Sequence, residues 1–259
     1  MTSKIISFSG KGGVGKSTLL IMLLKHVLET KKYKNILVID ADPDANVADI
    51  IGEEIHFNET IGGKMTVLKE KITKRQIPLD VPKNQIIEAE VFDAIIERDD
   101  FDIIEMGRSE GSGCYCSVNN TLKHVIDVLA KNYDIVLIDA PAGLEYFARK
   151  TGQDVTDLVI VSDASKMGLH TMERIVEVSK EVELNFQNIW ILGNKFPEDF
   201  EQILKEKVEK ITDKRVKILG VVPYDEEVSK FNLVGKNLLE ISNNDLLYRS
   251  VSELYNKIL

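Results

Sequence analysis

The run from Gly10 to Thr18, GKGGVGKST, has residue types and a spacing that bind phosphate. Its glycines let the backbone adopt positive φ, so that successive amide N–H groups converge on an anion at a helix N-terminus. Lys16 would neutralise the β and γ phosphates of a nucleotide, and the Ser17 hydroxyl would bind the Mg²⁺ between them. A dinucleotide fingerprint fits less well, because it gives these two side chains no role. The predicted phosphate-binding residues are Gly12, Gly13, Val14, Gly15, Lys16, Ser17 and Thr18.

Aspartates follow two apolar runs further along the chain. The first run, 36–39, precedes Asp40, Asp42 and Asp44, and the second, 135–138, precedes Asp139. Ligands of open parallel sheets bind at the carboxyl ends of the strands, where a carboxylate can hold Mg²⁺. We therefore predict that Asp139 binds magnesium together with the hydroxyl of the phosphate loop. One of the first three aspartates could instead cap a short helix over 45–50, a role that we assign to Asp44.

Two cysteines lie in a second glycine-rich segment. Residues 107–116 read GRSEGSGCYC, so Cys114 and Cys116 are one residue apart. Two thiolates at this spacing can bind one ion, whereas a disulfide between them would close a strained ring. One chain supplies two of the four ligands of a closed thiolate site, and a two-fold homodimer would supply the others. We predict a Ni²⁺ or Zn²⁺ site at the dimer interface; the alternative is a pair of ordinary buried thiols.

The elements that would position these residues alternate between strand and helix. This alternation predicts a single α/β domain over 1–259, a P-loop NTPase with a mostly parallel central sheet and helices on both faces. Residues 53–100 are the least informative, with glycines and prolines that break the pattern. Predicted strands are 5–8, 36–39, 101–106, 135–138, 158–161, 189–192 and 216–221; predicted helices are 19–28, 67–72, 91–98, 169–182 and 245–258, with a brief strand at 86–87.

Composition and charge exclude several classes of protein. A chain of 259 residues with 44% hydrophobic residues can bury one large core. The formal net charge of −9 disfavours non-specific binding to nucleic acid or to an anionic membrane. The first strand begins without a leader sequence, and two cysteines cannot form a disulfide framework. We expect a soluble cytoplasmic protein with no nucleic-acid and no membrane partner.

The phosphate-binding run also resembles the deviant Walker A motif of the MinD, ParA and nitrogenase iron-protein family of ATPases. The resemblance rests on Lys11, which an ordinary phosphate loop does not need and which would otherwise be a solvated loop lysine. It implies ATP as the nucleotide, slow hydrolysis with Lys11 and Lys16 as catalytic cations, and a nucleotide-dependent homodimer. In that dimer, Lys11 reaches the phosphates bound by the partner subunit.

The same resemblance implies roles for residues at other strand ends. In the sequence Asp-Ala-Asp-Pro that begins at Asp40, Asp42 matches the catalytic residue that orients the attacking water. Asn194 matches an asparagine that hydrogen-bonds adenine, and Lys195 follows it. The loop of Pro223, Tyr224 and Asp225 resembles the segment that covers the other side of the base.

A narrower resemblance concerns the cysteine segment. Residues 106–116 resemble the metal loop of CooC-type ATPases, which help insert nickel into carbon monoxide dehydrogenase, although Ser109 and Ser112 stand where many relatives have proline. It implies a metallochaperone whose client is a carbon monoxide dehydrogenase-type nickel enzyme or a related acetyl-CoA synthase complex. The alternatives are a positioning or partitioning ATPase of the MinD and ParA kind, and an iron–sulfur carrier resembling the nitrogenase iron protein.

The C-terminal helix bears on the membrane alternative. Its apolar residues recur at helical spacing, a stripe that usually faces a protein core. MinD relatives bind membranes through such a helix, but here Arg249 and Lys257 are its only cations. We expect the stripe to face the core.

Overall fold

The fold is given by a computed structural model that describes residues 3–42, 47–77, 81–107, 129–141, 155–181 and 186–259. Within these ranges the strands are β1 (Lys4–Gly10), β2 (Ile36–Asp40), β3 (Ile96–Glu97), β4 (Asp102–Glu105), β5 (Ile135–Asp139), β6 (Asp157–Ser162), β7 (Asn188–Asn194) and β8 (Val216–Val222). The helices are α1 (Lys16–Thr30), α2 (Val47–Ile50), α3 (Ile61–Thr73), α4 (Lys83–Phe92), α5 (Lys166–Glu181), α6 (Glu201–Glu209), α7 (Glu226–Leu233) and α8 (Leu246–Tyr255).

The described strands form one sheet in the order β3-β4-β2-β5-β1-β6-β7-β8. Every neighbouring pair is parallel except β3 and β4. The strands are continuous apolar runs because a parallel sheet is buried on both faces. The predicted α/β class with a mostly parallel sheet is confirmed, and β1 lies in the middle of the sheet with the carboxyl ends of its parallel neighbours at the same edge.

Successive residues of the central strands face opposite layers of the core, as the two-residue period of a strand requires. Ile5 and Val136 pack in a core cluster with residues of α3, α5 and α6. Ile6 and Leu137 pack in the other cluster with residues of α1, α2 and α8. Helices therefore cover both faces of the sheet, as predicted.

The C-terminal helix α8 directs its apolar stripe into the core. Leu247 and Val251 are buried, and the Tyr255 hydroxyl donates a hydrogen bond to the Leu19 carbonyl of α1 at 2.6 Å. The expectation for this stripe is confirmed. None of the helices in the described ranges has the length and apolar character needed to cross a bilayer.

Residues 53–100 fold differently from the prediction in three places. The helix predicted at 67–72 is the second half of α3, which begins at Ile61 because the Thr60 hydroxyl accepts a hydrogen bond from the Gly63 amide at 3.1 Å. The helix predicted at 91–98 is wrong, because α4 ends at Phe92 and the strand β3 follows. The strand predicted at 86–87 is wrong, since both residues lie inside α4.

Gly63 was expected to break the chain and lies inside α3 instead. A Cβ atom at this position would lie 1.8 Å from the Phe57 carbonyl oxygen. The glycine therefore allows α3 to pack closely against the 3-10 turn at Phe57–Glu59, and its role is a close approach rather than a turn.

Candidate functional site

The phosphate loop joins the central strand β1 to α1 in a conformation that only glycine allows at two positions. A Cβ at Gly10 (φ 148°) would lie 2.2 Å from the Val161 carbonyl oxygen, and one at Gly15 (φ 92°) would lie 2.4 Å from Asn194 Nδ2. Gly15 is also the N-cap of α1, where no side chain caps the helix and no acidic residue occupies the first turn. Within the described residues, no side chain therefore competes as a cap with an anion bound to the first amides of α1.

Lys16, Ser17 and Asp139 come together at the start of α1. The Lys16 side chain is buried, and the Ser17 hydroxyl donates a short hydrogen bond to Asp139 Oδ2. The pKa of Asp139 is raised to about 6. Burial is the largest cause and the Asp42 charge also raises it, whereas the Ser17 hydrogen bond and the Lys16 charge act to lower it. Asp139 Oδ1 is buried and accepts no hydrogen bond from the described residues.

These oxygen atoms fit a magnesium ion. Mg²⁺ prefers oxygen ligands, and the site offers the Ser17 hydroxyl and the Asp139 carboxylate, whose Oδ1 receives no hydrogen bond from the described residues. A bound cation would also compensate the burial of the Asp139 charge. The residues predicted to hold magnesium are therefore adjacent and chemically suited to it.

Asp40 and Asp42 lie at the end of β2, next to β5. Asp40 is fully buried and its carboxylate accepts hydrogen bonds from the amides of Val47, at 2.9 Å, and Asp42, at 3.1 Å. Asp40 therefore holds the first amide of α2; Asp44, to which the sequence analysis gave the capping role, lies outside the described residues. Burial, followed by the Asp139 charge, raises the pKa of Asp40.

Lys11 forms an ion pair within the chain. Its Nζ atom lies 3.6 Å from Asp163 Oδ2, with side chains that are 39% and 29% exposed. The other oxygen of Asp163 accepts a hydrogen bond from the Ser165 hydroxyl at 2.5 Å, just before α5. Asp163 is not among the residues predicted from the sequence. It directly follows the strand β6, much as Asp139 ends β5, and this repeated pattern could have indicated it.

An open cleft lies beside the phosphate loop, on the side of β7 and β8. Tyr224, which is 55% exposed, forms part of its wall. Six of the predicted nucleotide-binding residues line the cleft besides Gly15: Thr18, Asn194, Lys195, Pro223, Tyr224 and Asp225. Four further residues, from α7 and α8, had no sequence signal: Val228, Ser229, Asn232 and Leu247.

The Asp225 carboxylate supports the wall of this cleft by accepting hydrogen bonds from backbone amides. One carboxylate oxygen accepts hydrogen bonds from Glu227 and Val228, the first turn of α7, at 2.8 and 3.1 Å. The other accepts from the Leu247 amide of α8 at 3.3 Å. The carboxylate therefore holds two helix starts together beside the cleft, a structural task that the sequence analysis did not foresee for it.

The cysteine segment follows β4, and Cys114 and Cys116 lie outside the described residues. The described part ends at Gly107, whose φ is 62° and whose Cβ would lie 2.4 Å from Thr60 Oγ1. The Gly62 amide donates to the Met106 carbonyl at 2.8 Å, so the start of α3 holds the base of this segment. Within the described ranges, no three His, Cys, Asp or Glu side chains are grouped as metal ligands.

Comparison with known proteins gives one family match and several relatives. The family described as the CobQ/CobB/MinD/ParA nucleotide binding domain matches residues 5–238. An uncharacterised ATP-binding protein of Methanocaldococcus jannaschii is 38% identical over 255 residues, which cover 98% of each chain. The carbon monoxide dehydrogenase accessory protein CooC of Rhodospirillum rubrum is 31% identical over 252 residues, which cover 92% of this chain and 90% of the relative.

Solved structures of the same fold are more distant in sequence. The septum site-determining protein MinD of Pyrococcus horikoshii, in complex with Mg-ADP, is 20% identical with a TM-score of 0.65, covering 99% of this chain and 96% of its own. A ParA family ATPase of Chlorobium tepidum is 16% identical with a TM-score of 0.68, and the match covers 97% of this chain and 98% of the ParA family chain. These likenesses establish the P-loop NTPase fold.

Proposed function

The chain belongs to the CobQ/CobB/MinD/ParA nucleotide-binding domain family, and from that premise we propose that it is an ATP-hydrolysing, dimeric metallochaperone that helps insert nickel into a carbon monoxide dehydrogenase-type enzyme. The observation that carries the ATPase part is the contact of Ser17 with Asp139 beside the buried Lys16. The 31% identity to a carbon monoxide dehydrogenase accessory protein supports the client.

The residues of the phosphate site have three different roles in the proposed hydrolysis. The loop amides and Lys16 bind the β and γ phosphates and stabilise the charge that builds on the transferred phosphoryl group. Ser17 and Asp139 would hold Mg²⁺, which supplies further charge neutralisation when bound. Asp42 lies near enough to Asp139 to raise its pKa, and we assign it the orientation of the water that attacks the γ phosphorus as the bond to ADP breaks.

Lys11 gives the proposed dimer its dependence on nucleotide. In one chain it pairs with Asp163 at 3.6 Å. In the proposed dimer it leaves this partner and contacts the phosphates bound by the second subunit. ATP then favours the closed dimer only to the extent that it binds that state more tightly than the open one.

The metal ion is the cargo of this cycle. Cys114 and Cys116 from two subunits offer four thiolates, which is the number that a closed Zn²⁺ or square-planar Ni²⁺ site needs. Because this segment starts from Gly107, two residues after the end of β4 at the nucleotide edge of the sheet, a change in the nucleotide site would alter the spacing of the thiolates in the proposed cycle. Hydrolysis would reshape the ion site for transfer to the client.

Steady-state phosphate release from Mg-ATP tests the ATPase part. Asp42→Asn should lower kcat by about 10²–10⁴-fold with little change in ATP affinity, because it removes a group that acts on the attacking water. Lys16→Ala should abolish ATP binding, whereas Lys69→Ala, an exposed lysine on α3, is the matched control and should behave as wild type. Hydrolysis that persists in both site variants would contradict the assignment.

Metal content separates the proposed cargo from the iron–sulfur alternative. After anaerobic purification, the proposal predicts a colourless protein that binds Ni²⁺ or Zn²⁺ and loses the ion when both cysteines are changed to serine. A brown protein with visible absorbance and bound iron would favour the iron–sulfur carrier. Binding to DNA or lipid vesicles with no effect of the cysteine changes would favour a positioning ATPase.

A further inference from the structure

Asn194, at the carboxyl end of β7, contacts the phosphate loop as well as the cleft beside it. Its Nδ2 donates a hydrogen bond to the Val14 carbonyl at 2.7 Å, and its Oδ1 accepts one from the Lys195 amide at 3.0 Å. The side chain is 4% exposed. The contact with Val14 joins residues that are 180 positions apart in the chain.

The two hydrogen bonds fix the orientation of the Asn194 amide. The Val14 carbonyl can only accept, so it requires the NH₂ group, and the Lys195 amide can only donate, so it requires the oxygen. Lys195 has φ 58°, a left-handed conformation that is uncommon outside glycine and that presents its amide to Oδ1. Within the part of the chain that the structure describes, these two hydrogen bonds leave one N–H and one lone pair of the side-chain amide for a ligand in the cleft.

The same amide lies against Gly15, the N-cap of α1. The Cβ that Gly15 lacks would be 2.4 Å from Asn194 Nδ2, so the loop and the amide are in close contact. Val14 and Gly15 directly precede Lys16 in the chain. A shift of the Val14 carbonyl would therefore move the backbone that carries the lysine and the amides predicted to bind phosphate.

We propose that Asn194 is a positioning residue for the phosphate loop, which it holds through the Val14 carbonyl whether or not a base occupies the cleft. This inference rests on the proposed function for its ligand, a nucleoside triphosphate, and adds a role that does not involve the base. A buried carbonyl that loses its donor costs free energy unless the loop moves toward another partner. Without Asn194, the loop would relax away from its phosphate-binding conformation.

Inorganic tripolyphosphate with Mg²⁺ tests the proposal, because it engages the phosphate loop and has no base. We expect Asn194→Leu, which keeps the approximate volume, and Asn194→Ala to bind tripolyphosphate about tenfold more weakly than wild type in a calorimetric titration. Tyr224→Ala removes cleft wall without touching the Val14 carbonyl, so it should weaken ATP binding and leave tripolyphosphate binding unchanged. Gln187→Ala, an exposed amide just before β7, should match wild type in both. Thermal unfolding without ligand shows which variants are folded.

ATP kinetics provide a second readout that loss of a base contact would not produce. Asn194→Leu should lower kcat at saturating ATP by about tenfold, because the misplaced loop acts in the transition state, whereas Tyr224→Ala should raise KM alone. An Asn194→Leu variant that binds tripolyphosphate as wild type does overturns the proposal, whatever its KM. If wild type binds tripolyphosphate but hydrolyses no ATP, the proposed function fails, and the titration still decides the role of Asn194.

Discussion

Lys11 and Asp163 are the two residues whose separation the proposed dimer requires. Their charged atoms are 3.6 Å apart, and both side chains are partly exposed to solvent. An exposed ion pair of this kind contributes at most about 1 kcal/mol, because water screens it and both side chains lose freedom. Lys11 can therefore leave Asp163 at small cost when a phosphate group offers a stronger partner.

Asp163→Asn should make ATP-dependent dimerisation easier. The substitution removes the ion pair that holds Lys11 within its own chain, so dimerisation no longer has to break it. Since the pair is worth at most about 1 kcal/mol, the ATP concentration at half dimerisation should fall by up to about fivefold. Light scattering during an ATP titration measures this half-dimerisation concentration. Asp100→Asn, an exposed aspartate between β3 and β4, is the control for the charge change. A higher ATP requirement in Asp163→Asn would mean that Asp163 supports the dimer instead.

Glu105 is a buried carboxylate that the sequence analysis did not single out. It ends β4 opposite Asp40 and is 6% exposed. Burial, followed by the Asp49 charge, raises its pKa above the ordinary value of 4.5. Since the folded pKa is higher than the unfolded one, the folded state binds this proton more tightly; the resulting stability is complete below pH 4.5 and is lost as the pH rises through the folded pKa.

Glu105→Gln should therefore stabilise the protein near neutral pH and have little effect in acid. The amide removes a buried charge that lies beside Asp40, whose own pKa is raised in part by Glu105. The difference in Tm between variant and wild type, measured from pH 4.5 to 7, should grow with pH. Glu54→Gln, at an exposed position, is the matched control. A constant or shrinking difference would show that Glu105 is not held as an unfavourable buried charge.

Short sequence patterns predict which residues form the phosphate site, but they do not predict the long-range contacts that these residues make. Ser17 and the loop glycines lie in one short run, and Asp139 follows a conspicuous apolar strand, so the sequence alone indicates them. The pairing of Lys11 with Asp163 and the hydrogen bond from Asn194 to Val14 join residues more than 150 positions apart. Such contacts depend on strand order and register, which no short pattern encodes.

At the scale of elements, α3 supports the base of the cysteine segment. Thr60 caps α3 through Gly63, and the side chain of Thr60 also occupies the space that a Cβ of Gly107 would need. The first half of α3 escaped prediction because its start depends on this cap and on a glycine that packs against Phe57. The seven parallel strands were predictable, since continuous apolar runs indicate burial on both faces of a sheet, whereas the short antiparallel β3 was not.

Thr60→Ala should destabilise the protein through the first turn of α3. Loss of an N-cap typically costs about 1 kcal/mol, which corresponds to a fall in Tm of about 2–4 °C for a chain of this size. Differential scanning calorimetry measures the shift. Thr73→Ala is the matched control, because its hydroxyl binds the Lys69 carbonyl at the exposed end of the same helix and caps nothing. Equal shifts in both variants would contradict the capping role.

At the scale of the whole molecule, the sheet brings the nucleotide site and the base of the cysteine segment to one edge. Glu105, Asp40 and Asp139 are register partners across β4, β2 and β5, and the cysteine segment begins two residues after the first of them. The parallel arrangement puts all three strand ends on the same side. The fold therefore places the base of the cysteine segment beside the carboxylates at the nucleotide edge.

In the proposed metallochaperone, ATP-driven pairing of two chains and metal binding by the paired cysteines are one event. Light scattering combined with elemental analysis tests it directly, for wild type and for the Cys114→Ser/Cys116→Ser variant, each with and without ATP and with Ni²⁺ or Zn²⁺. We expect a wild-type dimer with about one ion per two chains, and loss of the ion in the variant. An ATP-dependent dimer that binds no metal and is unchanged by the cysteine substitutions would contradict it.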